Sequence, residues 1–173
     1  MASPLRKVCA AATASLVALG IAGISSVAPA SAAPTRFFME VYSSHKCLED
    51  HGWATGAGAK VDQWACVRQN NELWTRTQKG DYFQFKNVHS GMCLNVSGNS
   101  KKKYAHIIQW PCSSAGNEWW SAKEIGSGYY EFKSKSSGLC MNIAGNSGSN
   151  GALLIQYPCG TGFPNEWITS VPV

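Results

Sequence analysis

The chain has 173 residues, with 15 Lys and Arg against 10 Asp and Glu, four His and seven Cys, for a formal net charge of +5. Its length suits one domain with a real core rather than several. The mild positive balance is too small to argue for a nucleic-acid partner.

The N-terminal segment has its own logic. Arg6 and Lys7 form a short basic stretch, an apolar, Ala-rich run extends from Val8 to about Val27, and Ala30-Ser31-Ala32 supplies small residues. That order predicts a cleavable secretory signal over residues 1–32, cut after Ala32. The break at Ala28-Pro29-Ala30 argues against a permanent anchor. A lipoprotein would carry its modified Cys just after the apolar run, and Cys9 does not lie there. Beyond the signal no apolar run reaches spanning length, so the mature chain is expected to be secreted and not membrane-inserted. Removing residues 1–32 takes away Arg6, Lys7 and Cys9. That leaves about 141 residues, 13 basic groups against 10 acidic ones, and six cysteines in an oxidising compartment.

Those six cysteines repeat. Cys47 and Cys66, Cys93 and Cys112, and Cys140 and Cys159 are each 19 positions apart, and the pairs start 46 and then 47 residues apart. Much else keeps register: Leu48, Leu94 and Met141 follow the first Cys, then Gly52, Gly98 and Gly145. Gln63-Trp64, Gln109-Trp110 and Gln156-Tyr157 precede the second, and Trp74, Trp120 and Trp167 stand eight residues beyond it. The chain is a threefold repeat, over about 36–79, 80–127 and 128–173, within a domain of residues 33–173. Six cysteines allow 15 connectivities. Three equivalent units most simply close Cys47–Cys66, Cys93–Cys112 and Cys140–Cys159, each loop of about 20 residues stabilising by roughly 3 kcal/mol in the chain-entropy model. The spacings are not those of zinc ligand pairs.

Each repeat reads as four short strands. Phe37 and Met39, Phe83 and Phe85, and Tyr130 and Phe132 lie two apart at matching offsets and share one strand face. Cys47-Leu48, Cys93–Val96 and Cys140–Ile143 form a second strand, Lys60–Trp64, His106–Trp110 and Leu153–Tyr157 a third, and the segment around each late Trp a fourth. No window carries helical periodicity, so the class is all-β. Twelve strands in three copies must hide their apolar faces and their edges. A propeller needs at least four blades, whereas a closed barrel capped by three hairpins accommodates all twelve. That is a β-trefoil with one disulfide per repeat.

The pattern resembles the ricin B-chain type lectins and the carbohydrate-binding modules of family 13. The second repeat carries it best, in Gly91-Met92-Cys93-Leu94-Asn95-Val96, Gln109-Trp110-Pro111-Cys112 and Asn117-Glu118-Trp119-Trp120. The resemblance covers roughly residues 36–173. It implies one shallow sugar site per repeat: a carboxylate after the first Cys and a later Asn grip hydroxyls, and an aromatic before the second Cys stacks on the sugar ring. By position the stacking residues are Trp64, Trp110 and Tyr157, and the late amides are Asn71, Asn117 and Asn165. Where the family has Asp, this chain has Glu49, Asn95 and Asn142; where it has a late Gln, this chain has Glu72, Glu118 and Glu166. Asn165-Glu166 abuts Trp167 directly, so the third repeat's late Asn reads as displaced. Gln109 joins the second set, with Tyr104 offered from the loop as a second aromatic. The first two repeats are expected to bind better than the third, and Trp74, Trp120 and Trp167 are expected in the core.

Catalysis is not expected. The recurring acids Glu72, Glu118 and Glu166 stand one per repeat, far apart around a threefold axis, whereas paired glycosidase carboxylates sit within about 5 to 10 Å. Motifs of nucleophilic, zinc or phosphate chemistry are absent. His45, His51, His89 and His106 share no offset and no metal-ligand spacing, so neither metal nor cofactor is expected. Lys101-Lys102-Lys103 reads as a solvated loop tip or a contact for anionic glycans. The expected function is a secreted, monomeric, multivalent carbohydrate-binding protein whose partners are glycans or polysaccharides. The alternative is a trefoil that has lost sugar binding and recognises protein, for instance as a protease inhibitor.

Overall fold

In the computed structural model, which describes residues 35–173, the period-two alternation of each repeat becomes the wall of a barrel. The expected signal, residues 1–32, lies outside the described residues. Three strands open the repeats: β1 (Arg36–Val41), β5 (Tyr82–Asn87) and β9 (Tyr129–Ser134). Three close them: β4 (Leu73–Lys79), β8 (Trp120–Gly126) and β12 (Ile168–Pro172). Antiparallel pairing runs β1–β4–β5–β8–β9–β12 and back to β1, so six strands form a ring with no free edge. Phe37, Met39, Phe85 and Phe132 fill its interior, with Phe83 and Tyr130 packed against them.

The remaining strands make three hairpins over one end of this barrel: β2 (Lys46–Asp50) with β3 (Val61–Ala65), β6 (Cys93–Val96) with β7 (Ile107–Trp110), and β10 (Cys140–Ile143) with β11 (Ala152–Tyr157). Neighbouring hairpins touch through the β11–β3 pairing and through isolated bridges at Lys60–Ile108 and His106–Ile155. Leu48, Leu94, Val96, Met141 and Ile143 point down into the same core. This is the β-trefoil, with strands where the alternation put them. The three bonds Cys47–Cys66, Cys93–Cys112 and Cys140–Cys159 are formed within their repeats. Each ties the first strand of a hairpin to the segment just past its second. Among the described residues no helix is long and apolar enough to cross a membrane.

One expectation fails at the late tryptophans. Trp74 and Trp120 are fully buried, and the Trp74 indole N–H donates to the Leu48 carbonyl at 2.9 Å. In the third repeat the equivalent core position is Ile168, also fully buried, while Trp167 is only half-buried and packs on Tyr42 with ring centroids 5.4 Å apart. The cause is a one-residue insertion: Asn71 and Asn117 stand five positions past their Cys, and Asn165 stands six. Counting from Cys159 therefore lands one residue short of the core position.

Candidate functional site

Hairpin register places the predicted residues in threes. Across each hairpin an aromatic stands opposite the first Cys: Trp64 with Cys47, Trp110 with Cys93, Tyr157 with Cys140; the two tryptophans are exposed and Tyr157 half-buried. Two residues further along the first strand, Glu49, Asn95 and Asn142 face Asp62, Ile108 and Ile155. A single 3-10 turn then carries Asn71, Asn117 or Asn165 back beside them. The Asn71 amide donates to Glu49 Oε2 at 2.7 Å, Asn117 to Asn95 Oδ1 at 2.8 Å, and Asn165 to Asn142 Oδ1 at 2.7 Å. Asn117 and Asn165 also donate to the backbone carbonyls of Val96 and Ile143. Asn165 is therefore not displaced. The insertion before it is absorbed in the loop after Cys159, and the third repeat keeps the same pair as the second.

The paired glutamines have another task. Gln63, Gln109 and Gln156 are fully buried. Each side-chain amide donates to two backbone carbonyls of a loop in a different repeat: Gln63 to Ser147 and Ser149, Gln109 to Ala54 and Gly56, Gln156 to Ser100 and Lys102. Gln109 is thus an inter-repeat clamp and not part of a binding surface, a correction to its expected role. Its neighbour Trp110 points out because alternation along β7 turns adjacent residues to opposite faces.

The clamps also decide which loop borders which aromatic. A Cβ on Gly58 would lie 3.8 Å from the Trp110 ring, and one on Gly151 would lie 4.0 Å from Trp64. Tyr104, the residue at the corresponding loop position, lies against Tyr157 with ring centroids 5.2 Å apart. Tyr104 therefore completes the third site and not the second. There Tyr104, Tyr157 and Phe163 surround Asn142 and Asn165 in a cavity of about 210 Å³. Lys103 sits over the Tyr104 ring at 5.3 Å, which brings that lysine of the Lys101–Lys103 run next to this site, while the Lys101 ammonium turns to Asn99 and the Ser136 carbonyl. The Tyr157 hydroxyl is pushed up from its ordinary pKa chiefly by the neighbouring Tyr104.

The first site differs in charge. Burial, then the neighbouring charges of Asp62 and Glu72, push the Glu49 carboxyl up to about 7, against the pull of the Gly52 N–H and the Asn71 amide. Asp62 is fully buried and also raised by burial, but His51 Nδ1 lies 2.5 Å from its Oδ2 and holds it down. Asp50, next in sequence, points into the core with neither carboxylate oxygen hydrogen-bonded, and burial raises it to about 7. The three late glutamates, by contrast, anchor backbone. Glu72 accepts from the N–H groups of Val67 and Arg68, Glu118 from Ser113, and Glu166 from Gly162. Among the described residues no group of three or more His, Cys, Asp or Glu is placed to hold a metal ion.

A family model described as ricin-type β-trefoil lectin domain-like matches residues 31–110, 76–157 and 116–171. The chain belongs to the ricin-type β-trefoil lectin family. Among solved structures, a designed threefold-symmetric protein, ThreeFoil, is 28% identical with a TM-score of 0.77, over 80% of this chain and 99% of that one. An exo-β-1,3-galactanase from Clostridium thermocellum is 26% identical with a TM-score of 0.77, over 80% of this chain but only 30% of its own. The Rhizoctonia solani agglutinin, at 13% identity and TM-score 0.70 over 84% and 100% of the two chains, shares the fold. No curated protein matches the sequence significantly.

Within this family frame, nine of the predicted residues gather as three triads: Glu49, Trp64 and Asn71; Asn95, Trp110 and Asn117; Asn142, Tyr157 and Asn165. Trp64 and Trp110 are 41% and 46% exposed. Phe163 was missed, because it falls in the inserted loop and no other repeat has an aromatic there. Tyr104, expected beside the second set, stands instead at the third.

Proposed function

We propose that this ricin-type trefoil is a secreted, non-catalytic, multivalent binder of glycans or polysaccharides. The observation that carries the reading is the third site. An amide pair, Asn142 with Asn165, is fixed by a 2.7 Å hydrogen bond beneath three aromatic side chains around an open cavity. Sugars present hydroxyls that need directional partners and C–H faces that favour flat apolar surfaces, and this site offers both. Among the described residues no hydrogen bond engages the Asn142 amide nitrogen, which leaves a donor facing the cavity.

The site order proposed here reverses the sequence expectation. The third repeat leads because it gathers three aromatics; the second has Trp110 on the hairpin that carries Asn95, bonded to Asn117, but only Gly58 from the neighbouring loop. The first exchanges an amide for Glu49, whose charge depends on pH. Shallow sites gain little singly, and three on one glycan raise avidity by roughly 10² or more. The test is a glycan array together with pull-down on insoluble plant, fungal and bacterial polysaccharides, with β-1,3-galactan included because of the galactanase likeness. Binding that falls with Tyr157→Ala supports the proposal. Silence across the panel with folded protein would favour the protein-recognition alternative.

A further inference from the structure

One large cavity of the described residues has no place in the glycan reading. It lies at the end of the barrel away from the three hairpins, where β1, β5 and β9 begin and β4, β8 and β12 finish, and measures about 700 Å³. Small-molecule sites fall in the range of about 300 to 1,000 Å³.

Its origin is a break in the threefold pattern. Arg76, Ala122 and Ser170 occupy the same inward position of β4, β8 and β12, two residues past Trp74, Trp120 and Ile168. One long side chain and two short ones cannot fill the barrel mouth evenly, so space remains over Ala122 and Ser170. Its floor is aromatic: Phe85 and Phe132 are buried beneath it, with Phe83 and Tyr130 rising beside them. Among the described residues that line it, the one cation is Arg76, with its guanidinium carbon 5.5 Å from the Phe83 ring and 6.0 Å from Phe37. Among the described residues the ion pairs are Glu40–His45, Asp62–His51 and Lys123–Glu131, and none involves Arg76. A planar guanidinium held on aromatic faces keeps its N–H edge directed for a carboxylate.

We propose that the barrel mouth binds a small amphipathic carboxylate, its head on Arg76 and its apolar body on the Phe83, Phe85, Tyr130 and Phe132 surface. This site is separate from the glycan sites and stands or falls without them.

The experiment titrates decanoate, below its micelle concentration, into the secreted chain by calorimetry, with decyltrimethylammonium as a comparator of equal tail and opposite charge. The variants are Arg76→Gln, which removes the charge, and Ala122→Leu, which fills the cavity. Unchanged near-ultraviolet dichroism certifies the fold of each. The expected result is one decanoate per chain, weakened about tenfold or more by Arg76→Gln, in line with a charged hydrogen bond, and lost in Ala122→Leu, with the ammonium compound binding weakly or not at all. No decanoate binding to the parent chain would overturn the proposal. So would affinity indifferent to both substitutions, or equal affinity for the two head groups.

Discussion

Asp50 offers the sharpest test of the physics of this fold. It is fully buried at a position where the other repeats have Val96 and Ile143, both also fully buried. Its carboxyl is pushed from 3.8 to about 7, chiefly by desolvation and then by the charge of Glu49. Below the unfolded value both states hold the proton and ionisation adds no penalty. Between about pH 4 and 7 the unfolded chain releases its proton while the folded chain keeps it, so stability falls by up to about 1.4 kcal/mol per pH unit. Above about 7 both states are ionised and the penalty is constant, roughly 2 to 4 kcal/mol after allowance for local relaxation. Asp50→Val removes this penalty and adds apolar burial of about 1 kcal/mol or more. Urea unfolding of both proteins at about pH 5 and about pH 8 measures it. Glu49 and Asp62 give the parent a falling stability of the same sign, so the difference between the curves isolates Asp50. The variant should gain over the parent as pH rises. Parallel curves, or a variant less stable at the higher pH, would refute the reasoning.

The other predictions follow from the same geometry. Gln109→Ala leaves the Ala54 and Gly56 carbonyls without their shared donor and should destabilise by about 1 to 3 kcal/mol, read by denaturant unfolding, with glycan affinity at Tyr157 unchanged. Trp110→Ala should cost about 1 to 3 kcal/mol of binding at its own site, by analogy with other aromatic stacking platforms, and calorimetric titration with an oligosaccharide would show it. With the second and third sites disabled by Trp110→Ala and Tyr157→Ala, residual binding at the first should strengthen as pH rises through about 7, because ionised Glu49 is the better hydroxyl acceptor. Glu49→Gln should flatten that profile.

Much of this molecule could be read before its fold was known, because repetition multiplies weak signals. One Gln-Trp-x-Cys says little, while three in register fix strands, disulfides and barrel. Nine of the ten predicted site residues are brought together as three triads for the same reason. What failed lay where symmetry breaks or where repeats meet. The inserted residue after Cys159 shifted Trp167 out of the core register. Gln109 looked like a site residue because it adjoins Trp110, yet along a strand adjacency means opposite faces. Position alone puts Tyr104 with its own repeat, because nothing local shows that Gln156, more than fifty positions away, holds its loop against Tyr157. Asp50 stands in register with Val96 and Ile143, but a carboxylate between Glu49 and His51 carries no apolar signal of the burial that this register imposes.

The central claim is that the third site is a glycan site built jointly by two repeats. A double-mutant cycle on Tyr104→Phe, Tyr104→Ala and Tyr157→Ala, titrated against the best oligosaccharide from the array, tests it most directly. Each alanine should weaken binding at that site about tenfold, the pair should lose less than the product because they share one ligand face, and Tyr104→Ala combined with Trp110→Ala should be additive. Coupling of Tyr104 to Trp110 instead, or full binding after loss of both tyrosines in a folded protein, would contradict it.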